Sequence, residues 1–393
     1  MTFNLANPAV RAILLFGLVS FFADITYEGA RSITGPFLGS LGASAASVGF
    51  IAGVGELLGF GLRYFSGRLA DRTRSYWLLM ALGYGVNVVA VPLMAYAGSW
   101  RAVALLVILE RTGKSIRAPA RDVMLSAASA KIGSGLGFGV HAFCDQLGAV
   151  VGPLFVAWAA VRGESSSYRP AFLWLAVPAV CAMLSLWFAW WSFGAAGEAR
   201  EESNGEPGRS KFAPEFWIYI AAAGLLAFGF ADFALIGYHL SKAHGFAASE
   251  LPLFYAVAMA LNGLLAPVFG RLFDKVGIAV LPASILVAAL SLPFSFLGGP
   301  ALAWAGVACW GIGMAAMDAV LRAGVSGLVS MSKRGTAYGI FNAVYGVAWF
   351  LGSALMGWLY TRSVAAAVVF GVAAQLAAAA GFMVFRSRMR SGT

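Results

Sequence analysis

The chain has 393 residues, of which 60% are hydrophobic and only 11% charged, with a formal net charge of +10. That leaves too little polar surface to clothe a water-soluble globule of this length, so lipid is the expected solvent. Nucleic-acid binding gains no support, because the basic residues gather at the ends of apolar segments rather than in one patch.

Apolar stretches of about 20 residues, the length that crosses a bilayer, recur from end to end. In chain order they lie near 11–38, 47–66, 76–98, 102–125, 136–160 and 170–193, then 214–241, 250–269, 278–298, 301–328, 336–360 and 364–386. The reading is an all-α membrane protein of twelve spans. The first apolar run is longer than a signal-peptide core and carries acids, so it is expected to stay in the protein. The polar stretch with Glu198, Arg200, Glu201, Glu202, Pro207 and Gly208 cannot bury apolar area and reads as a linker over 194–213. It separates an N-terminal bundle, 1–193, from a C-terminal one, 214–393. Gly53, Gly55, Gly59 and Gly61 are read as small residues for close helix packing.

With both termini placed on one side, the segments on the other side hold only Arg101, Arg162, Arg169, Lys242 and Arg362. The remaining loop and terminal bases, among them Arg68, Arg72, Arg74, Arg271, Lys275 and Arg386, fall on the same side as the termini. By the positive-inside rule that side is the cytoplasm, and a bacterial inner membrane is the expected location. Cys144, Cys181 and Cys309 lie within spans without paired spacing, so no disulfide framework, thiolate metal site or cofactor is expected.

Gly67-Arg68-Leu69-Ala70-Asp71-Arg72 returns as Gly270-Arg271-Leu272-Phe273-Asp274-Lys275, a spacing of 203. Gly135, Phe138, Gly139 and Gly152 likewise have counterparts at Gly335, Tyr338, Gly339 and Gly352. One half of the chain is a diverged copy of the other, the plan of many secondary transporters.

On these residues the chain resembles the major facilitator superfamily along essentially its whole length. Gly67, Leu69, Asp71 and Arg72 resemble its motif A, while Thr73-Arg74-Ser75 departs where that motif has x-Gly-Arg; the second copy does supply Gly277. A glycine turn presenting an acid at a helix end is expected to act as a conformational latch, with Gly67, Asp71, Arg72, Gly270 and Asp274 as its parts. Gly148-Ala149-Val150-Val151-Gly152-Pro153 resembles motif C, without its final glycine pair, and marks a hinge or packing notch that the resemblance links to antiporters. Phe21-Phe22-Ala23-Asp24 with Glu28, the run Arg111 to Asp122, and Arg334 to Asn342 resemble a prokaryotic branch of the superfamily. Arg111 is followed by glycine at the second position rather than the fourth, a departure from motif B of drug antiporters.

A charge at mid-bilayer costs about 3 kcal/mol or more, so each intramembrane ion needs a partner, water or a function. Asp24 and Glu28 share one face of the first span, with Arg31 a turn further on, and are the leading candidates for a coupling or substrate site. Arg111 and Lys114 are candidates to face a cavity; Arg117, Arg121 and Asp122 are expected to pair near the interface. His141 and Asp145, four apart, can form a structural pair or a proton relay. Asp318 and Arg322 are spaced to pair, whereas Asp232 has no local charge to meet it and is a further candidate. No nucleophile, base and acid set, no ATP-binding loop and no metal cluster stands out, so an enzyme or a pump is not expected. The expectation is a monomeric secondary transporter of a small solute, coupled to protons, working by rocking of two bundles, with export favoured. A proton-coupled importer of an organic solute or metal chelate, and a membrane sensor or scaffold without flux, stay open.

Overall fold

The structure, a computed structural model, describes residues 7–129, 133–162, 167–193, 212–330 and 334–391; the expected linker falls almost wholly outside them. Helix makes up 91% of it, with no strand among the described residues. In lipid only intra-segment hydrogen bonding satisfies every backbone group of an isolated crossing, which long apolar helices provide.

The first half holds α1 (Pro8–Ser40), α2 (Ala45–Thr73), α3 (Tyr76–Leu93), α4 (Trp100–Ser129), α5 (Ser134–Arg162) and the short α6 (Arg169–Trp174) leading into α7 (Ala176–Phe193). The second holds α8 (Pro214–Gly229), α9 (Phe233–Ala243), α10 (Leu251–Val276), α11 (Val280–Ala289) and α12 (Ser291–Phe296). It continues with α13 (Pro300–Ala316), a π-helical turn at Met317–Leu321, α14 (Arg322–Leu328), α15 (Arg334–Arg362) and α16 (Val364–Ser391).

Ten helical stretches among the described residues are long and apolar enough to cross a membrane. They differ from the twelve segments read in the sequence at two places. Leu251–Phe296 runs as one 46-residue stretch that covers two of the sequence segments, with a left-handed turn at Gly277 inside it. Helix α4 has the length, at 30 residues, but carries Glu110, Arg111, Lys114, Arg117, Arg121 and Asp122.

The repeat is written in the backbone as well as in the letters. Helices α1 and α9 end at Ser40 and Ala243, and α2 and α10 at Thr73 and Val276, each pair separated by the sequence period of 203. The left-handed turns obey it too: Gly42 (φ 86°) matches Gly245 (φ 66°), and Arg74 (φ 53°) matches Gly277 (φ 63°). Arg74 thus holds the conformation of the glycine it replaces, at a cost of about 1–2 kcal/mol for a residue with a Cβ. Motif A itself is not a glycine turn. Gly67 lies within α2, and the turn comes at Arg74, seven positions on.

Backbone packing divides the chain into two compact units, the first Met1–Thr34, Gly61–Glu202 and Ala247–Ala256, the second Gly35–Phe60, Ser203–Phe246 and Val257–Thr393. In the first unit, Phe16, Val19, Met80, Tyr84, Met124 and Leu186 bring α1, α3, α4 and α7 into one buried cluster. Helices α3 and α4 touch backbone to backbone: a Cβ on Gly113 would lie 2.5 Å from the Asn87 nitrogen, and one on Gly83 2.6 Å from that of Arg117. In the second unit, Gly53 meets the Phe350 carbonyl in the same way, whereas a Cβ on Gly59, or on Gly61 of the first unit, would meet nothing within 4 Å.

Candidate functional site

The glycine contacts of the first unit decide which polar groups meet. Gly148 and Gly152 of α5 press onto α1, where a Cβ would lie 2.8 Å from Asp24 Cβ and 2.9 Å from the Gly29 nitrogen. The α3 and α4 contact sets Asn87 beside Glu110 and Arg117 beside Tyr84. Charges from three helices are thereby collected on the buried side of α1.

Glu28, buried, accepts a 2.5 Å hydrogen bond from the Tyr255 hydroxyl, and Lys114 Nζ lies 3.8 Å from its other oxygen. Lys114 also stands 3.8 Å above the Tyr27 ring centroid. A cation on an aromatic face keeps part of the stabilisation lost with its water, worth about 2 kcal/mol when desolvated. Arg117 is only 1% exposed. Its guanidinium lies 4.1 Å over the Tyr84 ring and 5.7 Å from that of Tyr27, while Nε and Nη1 have no hydrogen-bond acceptor among the described residues. Asp24 is buried, at 5% exposure, yet has no hydrogen-bond or ion-pair partner among the described residues.

A second group lies nearby. His141 shares a 2.8 Å hydrogen bond through Nε2 with Ser20 Oγ, which is 3.3 Å from the Tyr84 hydroxyl, and its Nδ1 is 3.5 Å from Asp145. Asp145 is also 3.9 Å from Arg121, which clasps Asp122 at 2.9 Å. Glu110 is held by Arg111 at 3.2 Å and by the Asn87 amide at 2.8 Å. Arg121 and Asp122 pair as expected, whereas Arg117 stacks on tyrosines instead.

The remaining candidates have partners or positions of their own. Asp232 does have a local partner: it caps α9, accepting from the Ala234 N–H at 2.9 Å. The chain breaks between α8 and α9 there, and the break is secured by Trp310 donating to the Ala231 carbonyl and Gln375 to that of Gly229. A helix start leaves N–H groups without helical acceptors, one of which a capping aspartate satisfies; periodicity alone does not reveal such a break. Asp318 lies on the π-helical turn and accepts from Asn262 at 3.0 Å. Asp71 and Asp274 are exposed near the last turns of α2 and α10, where the helix dipole disfavours an acid.

Sequence reading passed over Tyr27, Tyr84, Asn87 and Ser20. Asn87 did carry a signal, since an amide within an apolar span demands a partner. The tyrosines did not, because stacking under a cation depends on which helices adjoin.

The family model for the Major Facilitator Superfamily matches residues 16–353. An uncharacterized protein of Mycobacterium tuberculosis (strain ATCC 25618 / H37Rv) is 38% identical over 385 residues, covering 95% of this chain and 92% of that one. An uncharacterized MFS-type transporter of Methanocaldococcus jannaschii is 26% identical, covering 91% of each chain. Among solved structures, the nucleoside transporter NupG aligns with a TM-score of 0.74 at 14% identity, over 95% of this chain and 99% of that one. A POT family transporter in complex with a thioalcohol conjugated peptide aligns at 0.78 and 12%, over 96% of each. Likeness at these identities shows the fold alone. The chain belongs to the Major Facilitator Superfamily: it is a multi-pass membrane transporter, not an enzyme.

Proposed function

We propose that this protein is a proton-coupled secondary transporter of the bacterial inner membrane, a monomer with twelve spans and cytoplasmic termini that exports a small solute by alternating access. The count of twelve treats α4 as a span lined with charge and divides Leu251–Phe296 at Gly277. The excess of bases on the side of both termini supports the orientation. The partial motif C from Gly148 to Pro153, packed against α1 beside Asp24, supports export.

The observation that carries the coupling is Asp24. It is a buried carboxylate with no hydrogen-bond or ion-pair partner among the described residues, next to a Glu28 that already has Lys114 and Tyr255. A buried carboxylate that no hydrogen bond or ion pair holds is costly to keep charged, which supports Asp24 as the group that carries the coupling proton. Glu28, Lys114 and Arg117 then supply the charges that a solute or the released proton exchanges with.

Reconstituted protein loaded with a pH dye tests this, screened across solute classes with and without an imposed gradient. The wild type is expected to move protons only with its solute. Asp24→Asn is expected to remove the gradient dependence while leaving solute exchange measurable. Gradient-driven transport that survives in Asp24→Asn would place the coupling elsewhere.

A further inference from the structure

A groove of about 590 Å³ opens on the first unit between α3 and α7, walled by Trp77, Leu78, Met183, Trp187 and Trp190, with Arg74 at its mouth. It belongs to none of the polar clusters above. The apolar residues exposed along α3, Leu78, Leu82, Val89 and Leu93, and those along α7, Val180, Leu184 and Trp191, run away from it. The groove therefore opens on a surface that faces hydrocarbon, and what fills it comes from the bilayer.

Its mouth is chemically distinct. The Arg74 side chain is exposed and has no ion-pair or hydrogen-bond partner among the described residues, its backbone N–H alone being bonded, to the Ala70 carbonyl. It occupies a left-handed turn whose counterpart in the second copy, Gly277, takes the same conformation without the steric cost of a Cβ. Glycine is the easier residue for this backbone, and the arginine that stands here instead places a positive charge at the groove. A second groove of about 490 Å³, between α8 and α15, has only small and apolar residues on its walls and no base at its mouth. That groove can take any acyl chain. The Arg74 groove adds a cation at the depth where tryptophans and arginines sit among headgroups.

We propose that this groove is a binding site for one anionic phospholipid, its phosphate at Arg74 and an acyl chain along Trp77, Trp187 and Trp190. Basic pockets between membrane helices recognise acidic headgroups in this way. The site is independent of the coupling reading, and only the identity of the leaflet follows from the proposed orientation.

Native mass spectrometry of the purified full chain, titrated with phosphatidylglycerol or phosphatidylcholine, tests it. The wild type is expected to hold one phosphatidylglycerol through activation that strips phosphatidylcholine. Arg74→Gly, which relieves the turn, is expected to lose about fivefold of that preference. Arg74→Lys is expected to keep most of it. Trp187→Ala is expected to weaken both lipids, and Arg271→Gln, the exposed base of the second copy, neither. Equal retention of the two lipids by the wild type, or wild-type retention by Arg74→Gly, overturns the proposal. So does binding of decyl phosphate as tight as that of the lipid, which would mean a water-borne amphiphile. Should Arg74→Gly fail to fold, the wild-type comparison of the two lipids in nanodiscs decides alone.

Discussion

Tyr255 donates its hydroxyl to Glu28 at 2.5 Å across 227 positions of sequence. The bond joins residues from the two copies of the repeat within one compact unit, and it shares Glu28 with Lys114. A hydrogen bond to a charged group contributes about 1.5–3 kcal/mol. Tyr255→Phe removes it without changing the volume of the ring. The expected result is a melting temperature a few degrees lower in detergent and transport that saturates at a lower rate, read by thermal shift and by proteoliposome flux.

Arg117 tests whether stacking or charge matters at the buried end of α4. Arg117→Lys keeps the charge but loses the planar contact with Tyr84. It is expected to cost about 1–2 kcal/mol, measured as a lowered denaturation midpoint. Tyr84→Phe, which keeps the ring but loses the hydroxyl near Ser20, is expected to cost less.

The glycine contacts make a paired prediction. A Cβ on Gly113 meets backbone at 2.5 Å, and one on Gly59 meets nothing within 4 Å. Gly113→Ala is expected to destabilise by about 1–3 kcal/mol through forced separation of α3 and α4, and Gly59→Ala to be neutral. Equal stability of the two variants would mean that the helices are not in backbone contact.

Motif A is expected to act through Asp71. The acid is exposed at the end of α2, where it opposes the helix dipole, so its favourable partner is to be found in another conformation. Asp71→Asn is expected to insert and express like the wild type, with transport reduced at least tenfold. Normal flux from a correctly inserted variant would rule out a latch.

The fold and the repeat were legible because lipid imposes them: apolar length gives the spans, and duplicated letters give the period that Gly42 and Gly245 repeat in the backbone. Charges in spans flagged Glu28, Lys114, His141 and Asp145, since each is too costly to be idle. The pairings were not legible where they depend on helix contact. Arg117 reaches Tyr84 because Gly83 and Gly113 let α3 and α4 touch, and Tyr255 reaches Glu28 across 227 positions, neither of which the spacing within one segment reveals. Asp232 was misread because spacing gives no sign that the chain breaks at residues 230–232 and needs a cap there.

Alternating access driven by a proton at Asp24 is the central claim, and spin-label distances between Thr73→Cys and Val276→Cys address it most directly. The two positions are exposed and equivalent, at the ends of α2 and α10, and the labels go into a chain with Cys144, Cys181 and Cys309 replaced. The account predicts two distance populations whose ratio shifts between pH 5 and 8, and a ratio fixed at the low-pH value in Asp24→Asn. A single distribution, unchanged by pH and by that substitution, would contradict it.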